Sequence, residues 1–542
     1  MNSPIKYIFV SGGVISGVGK GVISASVALL LQESGIKTSL LKCENYLNID
    51  SGLINPVEHG DVFLCDDGTE ADMDLGTYER FLNQNMGKDN FLTMGQIYRT
   101  VIDKERNFEY KGEDVEAIPH VTDEIIRRIK ESAAKQKVAV LVVELGGTAG
   151  EYQNALFYEA ARIMALRDKN SVLHIHVAYM PTPYHLGEPK TKPVQFSIKD
   201  LNSMGIQPDF LIARSHEPVD AKRNSRFALF CNLSPDDIIS APDLKTPYEM
   251  PLLLHQRKLE EKIIAKLSLT SHSIKLDKWA AMIHKIKAPK QESVRICIIA
   301  KYIATGDYQL KDSYASLLEA INHAAWSRNA EAKITFVNAE SFTKQAVENA
   351  DGIIVPIGWG PRGVDGMIDA IKYARENKIP YLGLCYGMQL ACLEYARHVI
   401  GLKDADTTEN NPHTNNPIIY LIPDQEKNVT TRAYGGTMRL GAWACQVKKN
   451  TLAYSAYNQE LISERHRHRY EFNKQYMELF VKNGFIFSGF SLKEKLVEIV
   501  ELPQSQHPFF LGIQGHPEYK SHPLSPHPLF VKFLQACQNK NI

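Results

Sequence analysis

The sequence predicts an α/β protein with two large domains, each built on a parallel sheet covered by helices. Its 542 residues exceed what one hydrophobic core usually holds. Short apolar runs alternate with segments of helical period in both halves of the chain, as is typical of parallel sheets flanked by helices. Each half also contains one strand-to-helix turn of unusual composition. We expect each of these two turns to carry chemistry.

The order of the predicted elements places a domain boundary near the middle of the chain. The predicted strands and helices of the first half are Tyr7–Val10, Gly21–Glu33, Thr38–Leu41, Val121–Ala134, Val138–Val143, Val172–Val177 and Leu211–Ala213. Residues 268–293 are rich in Ser, Lys and His, which indicates an interdomain linker. A new α/β pattern begins with Val294–Ala300. We therefore predict one domain at residues 1–267 and a second at residues 294–542.

The overall composition excludes several classes of protein. Lys+Arg and Asp+Glu both number 62, so the net charge is zero, which argues against a nucleic-acid partner. No apolar run approaches the roughly 20 residues that cross a bilayer, and Met1–Lys6 does not resemble a signal peptide. The eight cysteines are scattered, with no Cys-x-x-Cys pair. This usage fits a reducing compartment, so we expect a cytoplasmic protein without a membrane partner.

The first unusual turn is rich in glycine and predicts a phosphate site. The strand Tyr7–Val10 leads into Ser11-Gly-Gly-Val-Ile-Ser-Gly-Val-Gly-Lys-Gly21, and a helix follows. Glycines let the backbone approach phosphates, while helix amides and Lys20 supply positive potential. A glycine-rich turn with one lysine also occurs without a ligand, but the strand–loop–helix context favours a phosphate. Gly21 stands where Ser or Thr would bind magnesium, so the metal ligands must come from elsewhere.

Carboxylates at two places in the first half could hold that magnesium. The run Asp66–Asp74 is dense in acids, and Glu144 ends the strand Val138–Val143. Strand ends beside a phosphate loop are where ligands bind in open α/β sheets, and Mg²⁺ prefers oxygen ligands. Most of the acidic run is expected to be a solvated loop, and we predict Asp74 and Glu144 as the metal ligands.

Basic residues of the same domain suggest further anion contacts. Lys42 ends the second strand, where it could neutralise charge on a transferred phosphoryl group. Lys190-Thr-Lys192 with Gln195 resembles a second anion site. The alternative for this second cluster is an ordinary exposed basic loop.

The second unusual turn, Gly383-Leu-Cys-Tyr-Gly387, predicts a nucleophilic thiol. An apolar run precedes it and a helical pattern follows it, so Cys385 is expected above the sheet at a helix N-terminus that favours a thiolate. His516 is the best candidate for the base, and Glu518 could orient its imidazole. The alternative is a buried structural cysteine on a tight turn.

Together these motifs resemble the CTP synthase family over nearly the whole chain. The motifs that carry the resemblance are Tyr7-Ile-Phe-Val-Ser-Gly-Gly-Val14, Gly19-Lys-Gly21, His59-Gly-Asp-Val-Phe63, Asp72-Met-Asp-Leu-Gly-Thr-Tyr-Glu-Arg-Phe81, Glu144-Leu-Gly-Gly-Thr148, Gly187-Glu-Pro-Lys-Thr-Lys-Pro193, Gly205-Ile-Gln-Pro-Asp209, Gly383-Leu-Cys-Tyr-Gly-Met-Gln389, Glu464-Arg-His-Arg-His-Arg-Tyr-Glu471 and His516-Pro-Glu518. So many matches in one order are highly specific.

The resemblance implies a fold and a division of labour. A P-loop-type synthetase domain would use MgATP to phosphorylate O4 of the uracil of UTP, and ammonia would then displace the phosphate. A class I glutaminase domain would release that ammonia from glutamine and pass it through an internal tunnel, away from water. Activation by GTP and a homotetramer, with assembly into filaments, are also implied.

The resemblance also assigns roles to single residues. It gives the phosphoryl-transfer roles to Lys20, Lys42, Asp74 and Glu144, with Gly17, Val18, Gly19 and Gly21 around ATP. The pyrimidine-nucleotide positions are Ser16, Lys190, Thr191, Lys192, Gln195 and, more weakly, Arg226. In the glutaminase, Cys385, His516 and Glu518 act on the amide, the backbone amides of Gly358 and Tyr386 hold the oxyanion, and Gln389, Glu409 and Arg469 hold the amino-acid end of glutamine. Arg362 matches the loop associated with GTP.

Departures from the family pattern gather around the expected pyrimidine and feedback contacts. The departing positions are Ser16-Gly17, Glu44-Asn-Tyr46, Gly150-Glu-Tyr-Gln-Asn154, Gln195-Phe196 and Ile357. Two explanations are altered regulation of an ordinary CTP synthase, which we favour, and amidation of a UTP analogue or modified pyrimidine nucleotide. A cobyrinate-type amidase fits the motifs between residues 59 and 209 less well. The last alternative is a catalytically silent regulatory or filament-forming homologue. Such a protein has no chemical reason to retain all six residues predicted for catalysis and metal binding, so their presence argues against it. These residues are Lys20, Asp74, Glu144, Cys385, His516 and Glu518.

Overall fold

A computed structural model describes residues 4–55, 60–302, 304–305, 308–309 and 311–539. His59, which opens one of the family-like motifs, lies outside these residues. The chain divides into two compact units, one of residues 1–50 and 77–283 and the other of residues 51–76 and 284–542. None of the described helices has an apolar stretch long enough to cross a bilayer.

The first unit is built on a seven-stranded sheet in which each pair of neighbours is parallel. The strands, in spatial order, are Phe91–Thr93, Thr38–Glu44, Val140–Leu145, Lys6–Gly13, Val172–Tyr179, Phe210–Ser215 and Ile238–Pro242. The central strands are buried throughout, and each contains a run of consecutive apolar residues, as is typical of parallel strands covered on both faces. This sheet confirms the predicted parallel α/β class of the first half.

Helices connect these strands and cover the sheet. They are Lys20–Glu33, Met94–Arg106, Thr122–Gln136, Ala155–Arg167, Lys192–Ser203, Ala221–Cys231, Met250–Gln256 and Leu259–Leu267. Two helices span boundaries between the units. The chain re-enters the first unit within helix Met73–Leu82 and leaves it within helix Asp277–Lys287. The assignment of residues 268–293 to a linker stays a prediction.

The second unit is built on a nine-stranded mixed sheet. The strands, in spatial order, are Ala330–Asn338, Glu292–Ala300, Gly352–Val355, Tyr381–Leu384, Phe510–Ile513, Val497–Glu501, Ile486–Ser491, Arg439–Val447 and Leu461–His468. The first five are parallel and the last four pair antiparallel. The prediction of a parallel sheet is therefore wrong for this half of the second unit, because short buried strands have the same apolar composition in either direction.

Smaller elements complete the second unit. Its helices are Ala315–Ser327, Val364–Glu376, Tyr386–Tyr395, Glu426–Thr430, Leu452–Tyr457, Met477–Lys482 and Pro528–Asn539. Its small sheets join Ala405–Thr407 with Asn416–Leu421 and Tyr470–Phe472, Ala304–Thr305 with Tyr308–Gln309, and Phe63–Leu64 with Glu70–Ala71. The last of these lies in the segment Ser51–Gly76, which we call the strap. No motif in the sequence signals that the strap packs with residues about 400 positions later.

Candidate active sites

Cys385 lies on a sharp turn between the strand Tyr381–Leu384 and the helix that begins at Tyr386. Its φ of 53° and ψ of −99° are strained for a residue with a side chain, and such strain is concentrated at functional positions. Both neighbouring glycines are required. A Cβ at Gly387 would approach the Val355 carbonyl oxygen to 2.0 Å, and one at Gly383 would lie 2.7 Å from the Gly387 backbone. The predicted elbow is therefore present in the structure.

His516 follows the neighbouring strand Phe510–Ile513, so the sheet brings it to the same edge as Cys385. Its Nδ1 lies 2.7 Å from a carboxylate oxygen of Glu518, and its backbone N–H donates to the carbonyl of Arg465. All three side chains of the predicted triad are buried. Burial alone would favour a neutral imidazole, but the charges of Glu518 and then Cys385 outweigh it and raise the pKa of His516 to about 10. The site therefore favours a protonated histidine beside the thiol.

A cavity of about 250 Å³ opens beside Cys385. Its lining residues are Gly358, Trp359, Cys385, Tyr386, Gln389, Glu409, Val429, Tyr434, Met438, His468, Arg469 and Tyr470. The structure thus brings together all five residues predicted for the oxyanion and for glutamine. The side chains that sequence reasoning missed include Tyr434 and Met438, which come from a segment with no recognisable motif.

Existing contacts orient the predicted glutamine-binding groups. The guanidinium of Arg469 donates to Oε1 of Gln425 at 2.7 Å and to the carbonyl of Tyr434 at 2.6 Å. Gln389 donates to the carbonyl of Tyr470 at 3.1 Å. Glu409 accepts the backbone N–H of Gly360 at 2.8 Å, and burial raises the pKa of its carboxyl. One cavity therefore offers a carboxylate and a guanidinium, which suit an amino acid's ammonium and carboxylate.

Arg362 is not among the residues that line this cavity. Its guanidinium donates to the backbone carbonyl of Lys301 at 2.9 Å and pairs with Glu340 at 3.3 Å. Its predicted role toward GTP stays a prediction.

The strap packs against the strand Leu461–His468 through two ion pairs in which the arginines are buried. Arg467 binds Glu70 at 2.6 Å and the carbonyl of Gly52 at 2.8 Å, while Arg465 binds Asp66 at 2.5 Å. The backbone of the same strand contacts the triad, because the carbonyl of Arg465 accepts from His516 and that of Arg467 lies 3.9 Å from the sulfur of Cys385. Arg465 and Arg467 thus have structural roles, and no signal in the sequence identified their acidic partners.

In the first unit, the glycine-rich loop joins the strand Lys6–Gly13 to the helix that begins at Lys20. Gly17 and Gly19 have φ of 69° and 95°, which side chains rarely adopt. The ammonium of Lys20 donates to the carbonyl of Gly147 at 2.7 Å, and Ser16 is exposed at the tip of the loop. Val18 is buried, and Gly21 lies in the first turn of the helix. The loop has the open backbone that phosphate binding requires.

Lys42 and Glu144 are register partners on adjacent strands, which places their side chains together at one edge of the sheet. Their charged atoms are 2.9 Å apart, and Glu44 lies 3.1 Å from the same ammonium. Tyr78 donates a further hydrogen bond to Glu144. These oxygen donors fit Mg²⁺ chemically.

Asp74 lies in the first turn of helix Met73–Leu82, within the strap, where its backbone N–H donates to Asp72 at 2.8 Å. Its role as a metal ligand stays a prediction.

A second cavity of the first unit, of about 480 Å³, is strongly basic. Its lining residues are Glu188, Pro189, Lys190, Thr191, Lys192, Lys222, Arg223 and Arg226. Four of the predicted nucleotide residues meet here. Gln195 is not in the lining but bonds Thr191 at 3.1 Å, and Ser16 is also absent from it. Lys222 and Arg223 were missed, although their spacing with Arg226 on helix Ala221–Cys231 would have placed three cations near one face.

A strained, buried cysteine with a histidine–glutamate pair, beside a cavity for an amino acid, defines a glutamine-hydrolysing unit of class I type. Joined to a phosphate-loop unit, it defines a glutamine-dependent amidotransferase. The family model described as CTP synthase N-terminus matches residues 6–269, and that described as glutamine amidotransferase class-I matches residues 309–536.

Three relatives with the name CTP synthase match at nearly full length. The protein of Sulfolobus acidocaldarius is 47% identical over 98% of this chain and 99% of its own. Those of Pyrococcus furiosus and Caldanaerobacter subterraneus are 46% and 45% identical, each over 99% of both chains. The chain therefore belongs to the CTP synthase family, and the predicted resemblance is confirmed. Members of that family convert UTP to CTP with glutamine as nitrogen donor, and none of the alternative functions finds support in these comparisons.

Proposed function

We propose that the two units divide this reaction between them, with glutamine hydrolysis in the second unit and activation of UTP by ATP in the first. The observation that carries the proposal is the buried Cys385–His516–Glu518 arrangement with its adjoining cavity. The raised pKa of His516 keeps a proton available for an amine leaving group. A thiol alone could serve a protease, but the cavity beside it is sized and charged for one amino acid.

Glutamine would place its α-ammonium at Glu409 and its α-carboxylate at Arg469. The sulfur of Cys385, whose proton has passed to His516, then attacks the side-chain amide carbon, and the carbonyl electrons move to oxygen, where the amides of Gly358 and Tyr386 donate to it. The tetrahedral species collapses as the carbon–nitrogen bond breaks, and the leaving nitrogen takes the proton of His516. Water hydrolyses the resulting thioester and releases glutamate.

In the first unit, Lys20 would move from the Gly147 carbonyl to the phosphates of ATP when the nucleotide binds. Lys42 would face the transferred phosphoryl group, which becomes bonded to O4 of the uracil. Ammonia then forms the new carbon–nitrogen bond as phosphate leaves. Mg²⁺, held by Glu144 and Asp74, would neutralise phosphate charge. The basic cavity supports UTP as acceptor, because its cations suit a triphosphate.

Further features of the proposal concern regulation and assembly. We propose GTP as activator at Arg362. The guanidinium of Arg362 donates to the backbone carbonyl of Lys301, beside the loop that carries Gly358. A homotetramer, with filaments built from it, is supported by exposed apolar side chains of the first unit, among them Tyr184, Leu229 and Phe230. A cytoplasmic location is supported by the eight free cysteines.

The direct test incubates purified protein with ATP, MgCl₂, UTP and glutamine and follows the absorbance change of CTP formation. We expect CTP with glutamine and also with ammonium chloride. The absence of CTP with both nitrogen donors would contradict the proposal. If glutamate were still released in that case, the acceptor would be a UTP analogue rather than UTP.

A further inference from the structure

Lys301 is a buried lysine next to the glutaminase cavity that the reaction described above does not use. It follows the strand Glu292–Ala300 and is 4% exposed. Its ammonium donates to the carbonyls of Trp359 at 3.2 Å and Gly360 at 2.6 Å, and lies 4.4 Å from the centre of the Tyr386 ring. The lysine side chain therefore runs along the loop that carries Gly358.

At Gly360 this loop is positioned by polar contacts rather than by packing, whereas Gly358 packs closely against the side chains of Lys301 and Tyr386. A Cβ at Gly360 would meet no heavy atom within 4 Å, and the residue has a φ of 70°. The hydroxyl of Tyr386 donates to the carbonyl of Gly360 at 3.0 Å, alongside Lys301. The amide of Gly360 in turn donates to Glu409 at 2.8 Å. Two donors and one acceptor thus fix the orientation of the peptides that follow Gly358.

The positive charge of Lys301 is costly at this place. Burial lowers its pKa to about 8, even though the charge of Glu409 opposes the shift. Within the described residues, no carboxylate oxygen lies within ion-pair distance of its ammonium. An apolar side chain of the same length would fill the space without this cost, so retention of the charge indicates a role.

We propose that Lys301 is a positioning residue of the glutaminase, which holds the loop of residues 358–360 so that the Gly358 amide faces the oxygen on which negative charge develops. The inference rests on the proposed glutaminase function. When the sulfur–carbon bond forms, the carbonyl electrons pass to this oxygen, and they return as the carbon–nitrogen bond breaks. A loop fixed in advance costs no reorganisation at that moment. Lys301 contacts no reacting atom and acts only through the loop.

The test compares Lys301→Met with wild type, with Lys301→Arg, and with Lys482→Met as the matched control at an exposed lysine of the same unit. Four quantities are measured. They are kcat and KM for glutamine hydrolysis, the rate of ammonia-driven CTP formation, the rate of alkylation of Cys385 by iodoacetamide, and inhibition by the aldehyde analogue of glutamine, whose adduct with a thiolate is tetrahedral.

For Lys301→Met we expect kcat for glutamine hydrolysis to fall by about 10²-fold, the size of effect seen when an oxyanion donor is lost. KM should stay within about threefold, and the aldehyde should bind weaker by a factor similar to the loss of kcat. Alkylation of Cys385 and ammonia-driven CTP formation should remain at wild-type rates. Lys301→Arg should recover at least part of kcat, and Lys482→Met should behave as wild type.

Several results would overturn the inference. An unchanged kcat would do so, as would a raised KM with normal aldehyde inhibition, which would mean that Lys301 serves binding. A loss of alkylation equal to the loss of kcat would indicate damage to the thiol environment. If Lys301→Met failed to fold, the Lys301→Arg variant would decide. This variant retains the charge, so a native melting temperature without glutaminase activity would contradict the positioning role of Lys301. Wild-type protein that releases no glutamate would instead refute the proposed function.

Discussion

The glutaminase site and the basic cavity differ in how much of each is fixed before a ligand arrives. Cys385, His516 and Glu518 are each at most 5% exposed. Backbone hydrogen bonds hold Cys385 and His516, and the His516 imidazole bonds Glu518. In the basic cavity, by contrast, Lys192, Lys222 and Arg226 are exposed to solvent. One site is assembled in the folded chain, while the other presents several cations that a bound anion would hold together in addition to the ion pairs of Lys190 and Arg223 with Glu188.

The proposed chemistry of the two sites explains this difference. A covalent intermediate requires a nucleophile and an acid in a near-attack geometry, and a displacement of about 1 Å is enough to cost rate. A cavity for a polyphosphate needs positive potential more than exact geometry, and its exposed charges are screened by salt. We therefore expect substitutions in the first site to act on kcat and those in the second to act on KM.

Cys385→Ala should have the largest effect. Without the sulfur, no thioester forms, and glutamine-driven CTP formation should fall by at least about 10³-fold. Ammonia-driven formation should continue at the wild-type rate, as an assay with ammonium chloride would show. Cys392→Ala, at a buried cysteine of the helix that follows Cys385, is the matched control and should keep both activities. Equal loss of both activities in Cys385→Ala would show that the two units do not divide the reaction.

Glu144→Gln should have the next largest effect, and on the opposite unit. It removes the carboxylate that pairs with Lys42 and would hold magnesium, so we expect CTP formation to fall by about 10²-fold with either nitrogen donor. The concentration of MgCl₂ for half-maximal rate should rise. Glutamate release by the second unit, measured separately, should persist, and Glu109→Gln at an exposed position should be silent. A defect confined to glutamine-driven turnover would place Glu144 outside the phosphoryl-transfer site.

Glu518→Gln tests the effect of this carboxylate on His516 through the pH dependence of kcat for glutamine hydrolysis. Without the carboxylate, burial dominates and the pKa of His516 falls from about 10, so the alkaline limb of glutaminase kcat should move to lower pH. At pH 8 we expect a loss of about 10- to 100-fold. An alkaline limb that did not move would show that His516 is not the titrating acid.

The pair His516–Glu518 also stabilises the folded state, and this stabilisation depends on pH in a predictable direction. Because the folded pKa of His516 is raised above the ordinary value of about 6.5, the stabilisation is fully present below that pH and is lost as pH rises through about 10. The difference in melting temperature between wild type and Glu518→Gln should therefore shrink between pH 7 and pH 10.

Arg226→Ala should have the smallest effect and should act on binding. Several other cations line the same cavity, so we expect KM for UTP to rise by only about three- to tenfold with kcat nearly unchanged. The increase should diminish at high salt. Arg257→Ala, at another exposed arginine of the unit, is the control. A large loss of kcat would mean that Arg226 is as rigidly placed as the glutaminase residues.

The parts of these sites that the sequence could predict are those that local rules determine. The elbow at Cys385 follows from small residues between a strand and a helix, and the proximity of Lys42 and Glu144 follows because both end buried parallel strands. Lys301 and the acidic partners of Arg465 and Arg467 could not be predicted. Their contacts join residues far apart in the chain, and no periodicity records such pairs.

The strap also has a consequence for how the protein is made. Asp66 and Glu70 bind partners that are 399 and 397 residues later in the chain. At roughly 5 to 20 residues per second, synthesis of that interval takes on the order of 20 to 80 s. During this time the strap has emerged from the ribosome but lacks the strand that it pairs with. The second unit therefore cannot complete its fold until Arg465 and Arg467 have been synthesised, after the whole chain of the first unit.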